Sequence, residues 1–103
     1  MDIFQAIAEP TRRSIVEMLA KDGRLSASEI GSAFDMSAPA ISQHLKALRE
    51  AGLVRVERQG KQRMYELDIS TIYKIERWAH GMSSQWNNRL DKLGALLASR
   101  KGK

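Results

Sequence analysis

Apolar residues recur along this chain with two periods. Up to about residue 50 they come at steps of three and four, over residues 53–67 they alternate, and then the longer steps return as far as residue 97. Helices, a short strand region and a final long helix are therefore expected in that order. Ile3, Phe4 and Ile7 mark a first helix, 2–8, too short to hold without packing against something such as a second subunit. Pro10 opens a second helix, 10–21, as a first-turn proline, with Ile15, Val16, Met18 and Leu19 on its inner side and Asp22-Gly23 as its break. Ser26-Ala27-Ser28-Glu29 spells a capping box for a third helix, 27–34, whose apolar face is Ile30, Ala33 and Phe34. After the turn Asp35-Met36, Ser37 caps a fourth helix with Pro39 in its first turn and a narrow stripe of Ile41, Leu45 and Leu48. Gly52 supplies the left-handed stop. Ile15, Leu19, Ile30, Phe34, Ile41, Leu45 and Leu48 are the expected core.

Beyond Gly52, Leu53–Arg58 is β-branched and alternating, Gln59-Gly60-Lys61 reads as a turn with Gly60 at positive φ, and Gln62–Leu67 returns as a second strand. Tyr65 and Leu67 share the face expected against the helices, because a two-stranded hairpin alone is marginal in water. Ser70 is a candidate cap for the last helix, 70–98. Its apolar positions, Ile72, Ile75, Ala79, Met82, Trp86, Leu90, Leu93 and Leu97, are widened by Tyr73, Trp78 and Leu96. About seven turns of apolar face is more than a small domain needs to cover itself. Gly81 within the stripe marks a bend or a close helix crossing. The predicted fold is mainly α with a small β-hairpin (α+β), a winged helix-turn-helix that dimerises through its first and last helices. Residues 1–103 are read as one DNA-binding domain, with 70–98 as a dimerisation helix within it and 99–103 as a basic tail.

Composition narrows this picture. The chain has 103 residues, of which 43% are hydrophobic, and it contains no Cys. A chain of this size buries roughly 60–70% of its unfolded surface, which makes a modest core. Disulfides, thiolate metal sites and cysteine redox chemistry are excluded, which fits a reducing cytoplasm. No apolar run approaches the ~18 residues of a membrane span, and MDIFQAIAEP lacks the basic start of a secretory signal. No membrane partner is expected. Of the net charge of +5, the segment 46–63 carries +4, through Lys46, Arg49, Arg55, Arg58, Lys61 and Arg63 against Glu50 and Glu57. Such a cluster points to a polyanion. Arg100, Lys101 and Lys103 form a second basic group, read as a solvated tail.

The fourth helix is the candidate reader of double-stranded DNA. Opposite its apolar stripe it shows Ala38, Pro39, Ser42, Gln43 and Lys46, with Ser37 at its start and His44 beside them. Small residues permit close approach, Ser and Gln can bond base edges, and Lys supplies charge. A solvated polar helix face is the plainer account of the same pattern. The hairpin, with Arg58, Gly60, Lys61 and Arg63 at its tip, is a candidate wing for backbone or minor groove; a charged edge kept for solubility is the alternative. Arg12 and Arg13 are expected in intramolecular pairing, with contact to DNA as the alternative. The expected subunit interface comprises Ile3, Phe4, Ile7, Ile72, Ile75, Trp78, Ala79, Met82, Trp86, Leu90, Leu93 and Leu97.

The strings AIAEPTRRSIVEML at 6–19, MSAPAISQHLKALREAGLVRVERQGKQRMYEL at 36–67 and ERWAHGMSSQWNNRLDKLGALL at 76–97 resemble the ArsR-type (arsenic-repressor) winged helix-turn-helix regulators of bacteria. The last of these strings resembles a short subgroup, one lacking the metal-site cysteines. The family resemblance implies a dimeric transcription factor, usually a repressor, on an inverted-repeat operator. By position it assigns Ser37, Ala38, Pro39, Ser42, Gln43, His44 and Lys46 to the recognition helix and Arg58, Gly60, Lys61 and Arg63 to the wing. Many members release DNA on binding metal. The two usual sites need a Cys pair in the third helix, here SASEIGSAF, and Asp-x-His with His-x-x-Glu on the last helix, which here has only His80. No metal, no cofactor and no particular small-molecule effector is therefore expected. Nor is an enzyme: there is no phosphate-binding glycine loop, and Ser42 and His44 point about 200° apart on a helix, so they cannot act as nucleophile and base. An architectural DNA-binding protein and a protein-interaction module built on the long helix remain the alternatives.

Overall fold

The computed structural model describes residues 1–101, with side chains to Ser99. The elements are α1 (Ile3–Ala8), α2 (Pro10–Asp22), β1 (Leu25–Ser26), α3 (Ala27–Ser32), α4 (Ala38–Glu50), β2 (Val54–Gln59), β3 (Gln62–Leu67) and α5 (Ile69–Lys101). They divide into one compact unit, residues 1–72, and a second that begins at Tyr73 and is helical throughout its described length. The side chains of Arg100 and Lys101, and residues 102 and 103, lie outside the described residues, and with them most of the predicted basic tail.

In the first unit every helix start has a side chain to satisfy its free N–H groups. Asp2 and Gln5 form a reciprocal capping box on α1, and Ser26 and Glu29 form the expected one on α3. The Glu9 carboxylate accepts from the Arg12 N–H at 2.8 Å and caps α2. Ser37 Oγ accepts from the Ala40 N–H at 3.2 Å on α4. For α5 the cap is Asp68 rather than Ser70. Its carboxylate accepts both the Ser70 N–H, at 3.1 Å, and the Ser70 hydroxyl, at 2.6 Å, since Asp68 stands just outside the first turn, where a cap's side chain meets the free N–H groups, and Ser70 lies within that turn. The helix consequently starts at Ile69, not at residue 70.

Ile15, Leu19, Ile30, Ile41, Leu45 and Leu48 are buried as expected, joined by Ala6, Leu53, Val54 and Tyr65. Phe34 departs from expectation and is only half-buried. The third helix stops at Ser32, and the N–H groups of Ala33 and Phe34 turn to the carbonyls three residues back, Ile30 and Gly31. That tighter turn takes Phe34 off the line of Ile30.

The hairpin is the outer part of a three-stranded sheet of order β1-β3-β2. Val54 pairs with Leu67, Val56 with Tyr65 and Arg58 with Arg63, and on the other side of β3 Leu25 pairs with Tyr65 and Ser26 with Met64. The short strand β1 is absent from the sequence reading because two residues carry no period. Gly60 has the expected positive φ.

Gly52, at φ +81°, closes α4 in a Schellman turn: its N–H goes to Arg49 O and the Leu53 N–H to Leu48 O, both at 3.0 Å. Its carbonyl accepts the buried Thr71 hydroxyl at 2.6 Å, and the Asp68 N–H reaches Leu53 O at 2.9 Å. This turn therefore fixes the C-terminal end of α4 to the root of α5. Gly52→Ala is expected to cost about 1–2 kcal/mol, since an L side chain pays that in the left-handed region. A thermal midpoint within a degree or so of wild type would contradict it.

Three of the caps titrate. At Glu9, burial pushes the carboxyl up but is outweighed by the N–H bonds from Arg12 and Thr11 and the nearby charges of His44 and Arg12, so it ionises below its ordinary range. Ser26 holds Glu29 down through its N–H and hydroxyl. The Ser70 hydroxyl, then its N–H, the Arg55 charge and the Thr71 N–H do the same for Asp68. Groups with lowered folded pKa values contribute stability that is present above the unfolded carboxylate range and lost as pH falls through the folded values. Urea midpoints are expected to hold from about pH 7 to 5 and to fall below about pH 4. The fall should shrink in Glu9→Gln/Glu29→Gln/Asp68→Asn; equal slopes in both proteins would refute this assignment.

Candidate nucleic-acid interface

The helix that follows the α3–α4 turn buries Ile41, Leu45 and Leu48 and leaves Ala38, Pro39, Ser42, Gln43 and Lys46 exposed, with Ser37 exposed at its cap. Its first turn is built of small residues. Ala27, Ser28, Gly31, Ser32, Met36, Ala38, Ile41 and Ser42 line an open groove of about 360 Å³ at the α3–α4 corner. Met36 is the one large exposed side chain on this edge. His44 is placed differently from its neighbours. Its side chain is only 18% exposed, and Nδ1 lies 3.7 Å from Glu9 Oε2.

The structure sorts the basic residues. Arg55 pairs with Glu66 at 3.2 Å, across the β2–β3 ladder, and Arg24 with Glu57 at 2.9 Å. Arg12 turns to the end of α1, with Nε on Ala6 O at 2.7 Å and Nη2 on Gln5 O at 3.2 Å, while Arg13 Nη2 lies 3.4 Å from Ala8 O. These two arginines make the intramolecular contacts expected of them, at a carbonyl end where positive charge is favoured. Arg58, Lys61 and Arg63 are exposed and have no ion pair or side-chain hydrogen bond among the described residues. Arg58 and Arg63 are directly opposite in the ladder, an arrangement that costs stability in water and is relieved by an anion. Gly60 forms the turn between them without a side chain. Lys46 and Arg49, exposed on α4, add charge that has no ion pair among the described residues.

The Arg24–Glu57 pair and the β1 strand beside it brace the base of the wing, and the sequence reading missed both. Their partners lie far apart in the chain, so no local pattern announces them. The expected subunit-contact residues fall into two groups. Ile3, Ile7, Ile72 and Ile75 are half-buried. Phe4, Trp78, Met82, Trp86, Leu90, Leu93 and Leu97 are 39–58% exposed, and Ala79 is exposed too. His80 is exposed; its Nε2 lies 3.4 Å from Ser84 Oγ and its carbonyl accepts from Ser83 Oγ. Among the described residues no three His, Asp or Glu side chains come together as a metal set.

Comparison with known proteins decides the family. Residues 7–57 match a helix-turn-helix domain model. The chain is 48% identical over 96 residues to the HTH-type transcriptional regulator Rv2034 of Mycobacterium tuberculosis, covering 93% of this chain and 86% of that one. It is 33% identical over 89 residues to the transcriptional repressor SdpR of Bacillus subtilis, covering 86% of this chain and 98% of that one. A solved ArsR family transcriptional regulator, RHA00566, superposes with a TM-score of 0.75 at 32% identity, over 82% of this chain and 87% of that one. The chain belongs to the ArsR-type family of winged helix-turn-helix regulators. This ArsR-type protein is thus a DNA-binding transcription regulator and not an enzyme. Its α3–turn–α4 segment is the helix-turn-helix and its β2–β3 hairpin the wing. No helix among the described residues is long and apolar enough to cross a membrane.

Proposed function

We propose that this regulator is a cytoplasmic homodimeric repressor that binds an inverted-repeat operator, one α4 helix and one wing to each half-site. The observation that carries the reading is the selective pairing of charge. Arg24 and Arg55 are neutralised within the chain, while Arg58, Lys61 and Arg63, exposed at the tip of the β2–β3 hairpin, have no ion pair among the described residues. A hairpin kept charged only for solubility has no need to oppose two arginines. Ser37, Ala38, Pro39, Ser42, Gln43 and Lys46 would face the major groove, with Gln43 suited to bidentate pairing with adenine. The exposed apolar face of α5, with α1, supplies the contact between copies. The name of SdpR favours repression. The absence of Cys from the chain, and the serines at 83 and 84 where an acid three residues after His80 would be needed, favour regulation without metal.

The test is selection of duplexes from a random-sequence pool, followed by gel shifts at fixed salt. The expected result is an enriched inverted repeat bound more tightly than scrambled DNA by about a thousandfold or more, in line with the usual ratio of specific to non-specific binding of about 10³–10⁷. Equal affinity for both would leave an architectural DNA-binding protein.

A further inference from the structure

His44 lies in the recognition helix but does not share its outward face. With 3.6 residues per turn it sits about 60° from the buried Ile41, on the side of Ala40 and Ala47, whereas Gln43 and Lys46 sit about 140–160° away. Its imidazole points to the α1–α2 junction, where Glu9 Oε2 is 3.7 Å from Nδ1 and both side chains are partly shielded from water. Glu9 is not a free surface carboxylate. It caps α2 through the Arg12 N–H, and the Arg12 guanidinium in turn holds the last carbonyls of α1. A chain of contacts therefore runs from α1 through Glu9 to the middle of α4. We propose that His44 is a positioning residue: its contact with Glu9 sets the seat of the recognition helix on the α1–α2 junction, so that operator affinity rises when the imidazole is charged.

Among the described residues no other acid lies within ion-pair distance of the imidazole, while the Arg12 charge acts on the same Glu9 carboxylate. Arg12 and Arg13 face the carbonyls of α1, and Glu17, Lys21 and Asp22 occupy exposed positions on α2. Glu29 of α3 is engaged with Ser26, and Asp2 at α1 is engaged with Gln5. On β2, Arg55 and Glu57 are paired elsewhere and Arg58 lies at the wing tip. Imidazoles gain their charge between about pH 8 and 5, so a pair with a fixed carboxylate strengthens across that window. The charge then adds an attraction between α4 and the junction without adding a contact to DNA.

The inference rests on α4 being the DNA-reading helix, and its test separates the two. With a selected duplex, and His80→Gln in every protein to remove the other imidazole, affinity is measured at about pH 6 and 8 and across a salt series. The starting protein is expected to bind roughly threefold more tightly at the lower pH. Glu9→Asp keeps a capping carboxylate but is one methylene too short to hold His44; His44→Gln leaves the cap intact and cannot be charged. Both are expected to lose the pH dependence and to keep the salt slope, because no phosphate contact is removed. pH dependence that persists in folded Glu9→Asp, or a salt slope that falls in His44→Gln, would show His44 acting directly on DNA and overturn the inference. Failure to enrich any duplex would instead count against the proposed function.

Discussion

Placing glutamate at Trp86 and Leu93 together is expected to convert the protein to a monomer with a folded winged unit and to reduce operator affinity by a factor of 10²–10⁴, roughly the gain that linking two modest sites provides. Trp86 is 58% and Leu93 53% exposed in the single chain. A tryptophan side chain offers about 200 Å², so on the order of 100 Å² of Trp86 is left to bury, worth about 3 kcal/mol per copy at ~25 cal/mol per Å². Replacing it by a carboxylate removes that gain and adds the desolvation of a charge. Both residues lie in the second unit, which holds no buried residue among those described, so the core around Ile15 and Leu48 is not touched. Sedimentation equilibrium reads the oligomer, and circular dichroism with thermal melting reads the winged unit. A double variant that remains dimeric would move the contact between copies away from α5.

The second large effect belongs to the wing. Arg63→Ala is expected to weaken binding to selected and scrambled duplexes alike, by about tenfold at low salt, and to flatten the salt dependence. Each phosphate contact contributes about 0.9 to the slope of log K against log salt, and a dimer carries two wings, so the slope should fall by about 1.8. Stability should move the other way. Arg58 and Arg63 are directly opposite on the β2–β3 ladder, and removing one of two like charges is expected to stabilise the hairpin by a few tenths of a kcal/mol. Weaker DNA binding combined with an unchanged or higher melting temperature is a signature that a solubility role for these charges does not produce. An altered base preference with an unchanged salt slope would mean that the wing reads sequence rather than backbone.

Much of this site is legible in the chain because it is built from local rules. The Ser26–Glu29 capping box, Ser37 before Pro39, and the glycines at 52 and 60 each act within a few residues, and all four form as expected. The stripe of Ile41, Leu45 and Leu48 fixes which face of α4 is outward, and hence that Gln43 and Lys46 are presented. What is not legible depends on partners distant in sequence. Arg24 finds Glu57, 33 residues on, and His44 finds Glu9 across the α1–α2 junction. Before folding, Arg55 and Arg58 look equivalent; only the ladder register pairs one with Glu66 and faces the other with Arg63. The strand Leu25–Ser26 is two residues long and has no pattern to read. Asp68 and Ser70 are both good caps, and only geometry chooses between them.

Two copies of the chain are expected to present two α4 helices and two wings to one duplex. Hydroxyl-radical footprinting on a selected duplex tests this most directly. The expected footprint is symmetric, with two protected half-sites centred one helical turn apart, roughly 34 Å, and flanking protection lost in Arg63→Ala. A single protected segment, or uniform protection that is indifferent to sequence, would contradict it.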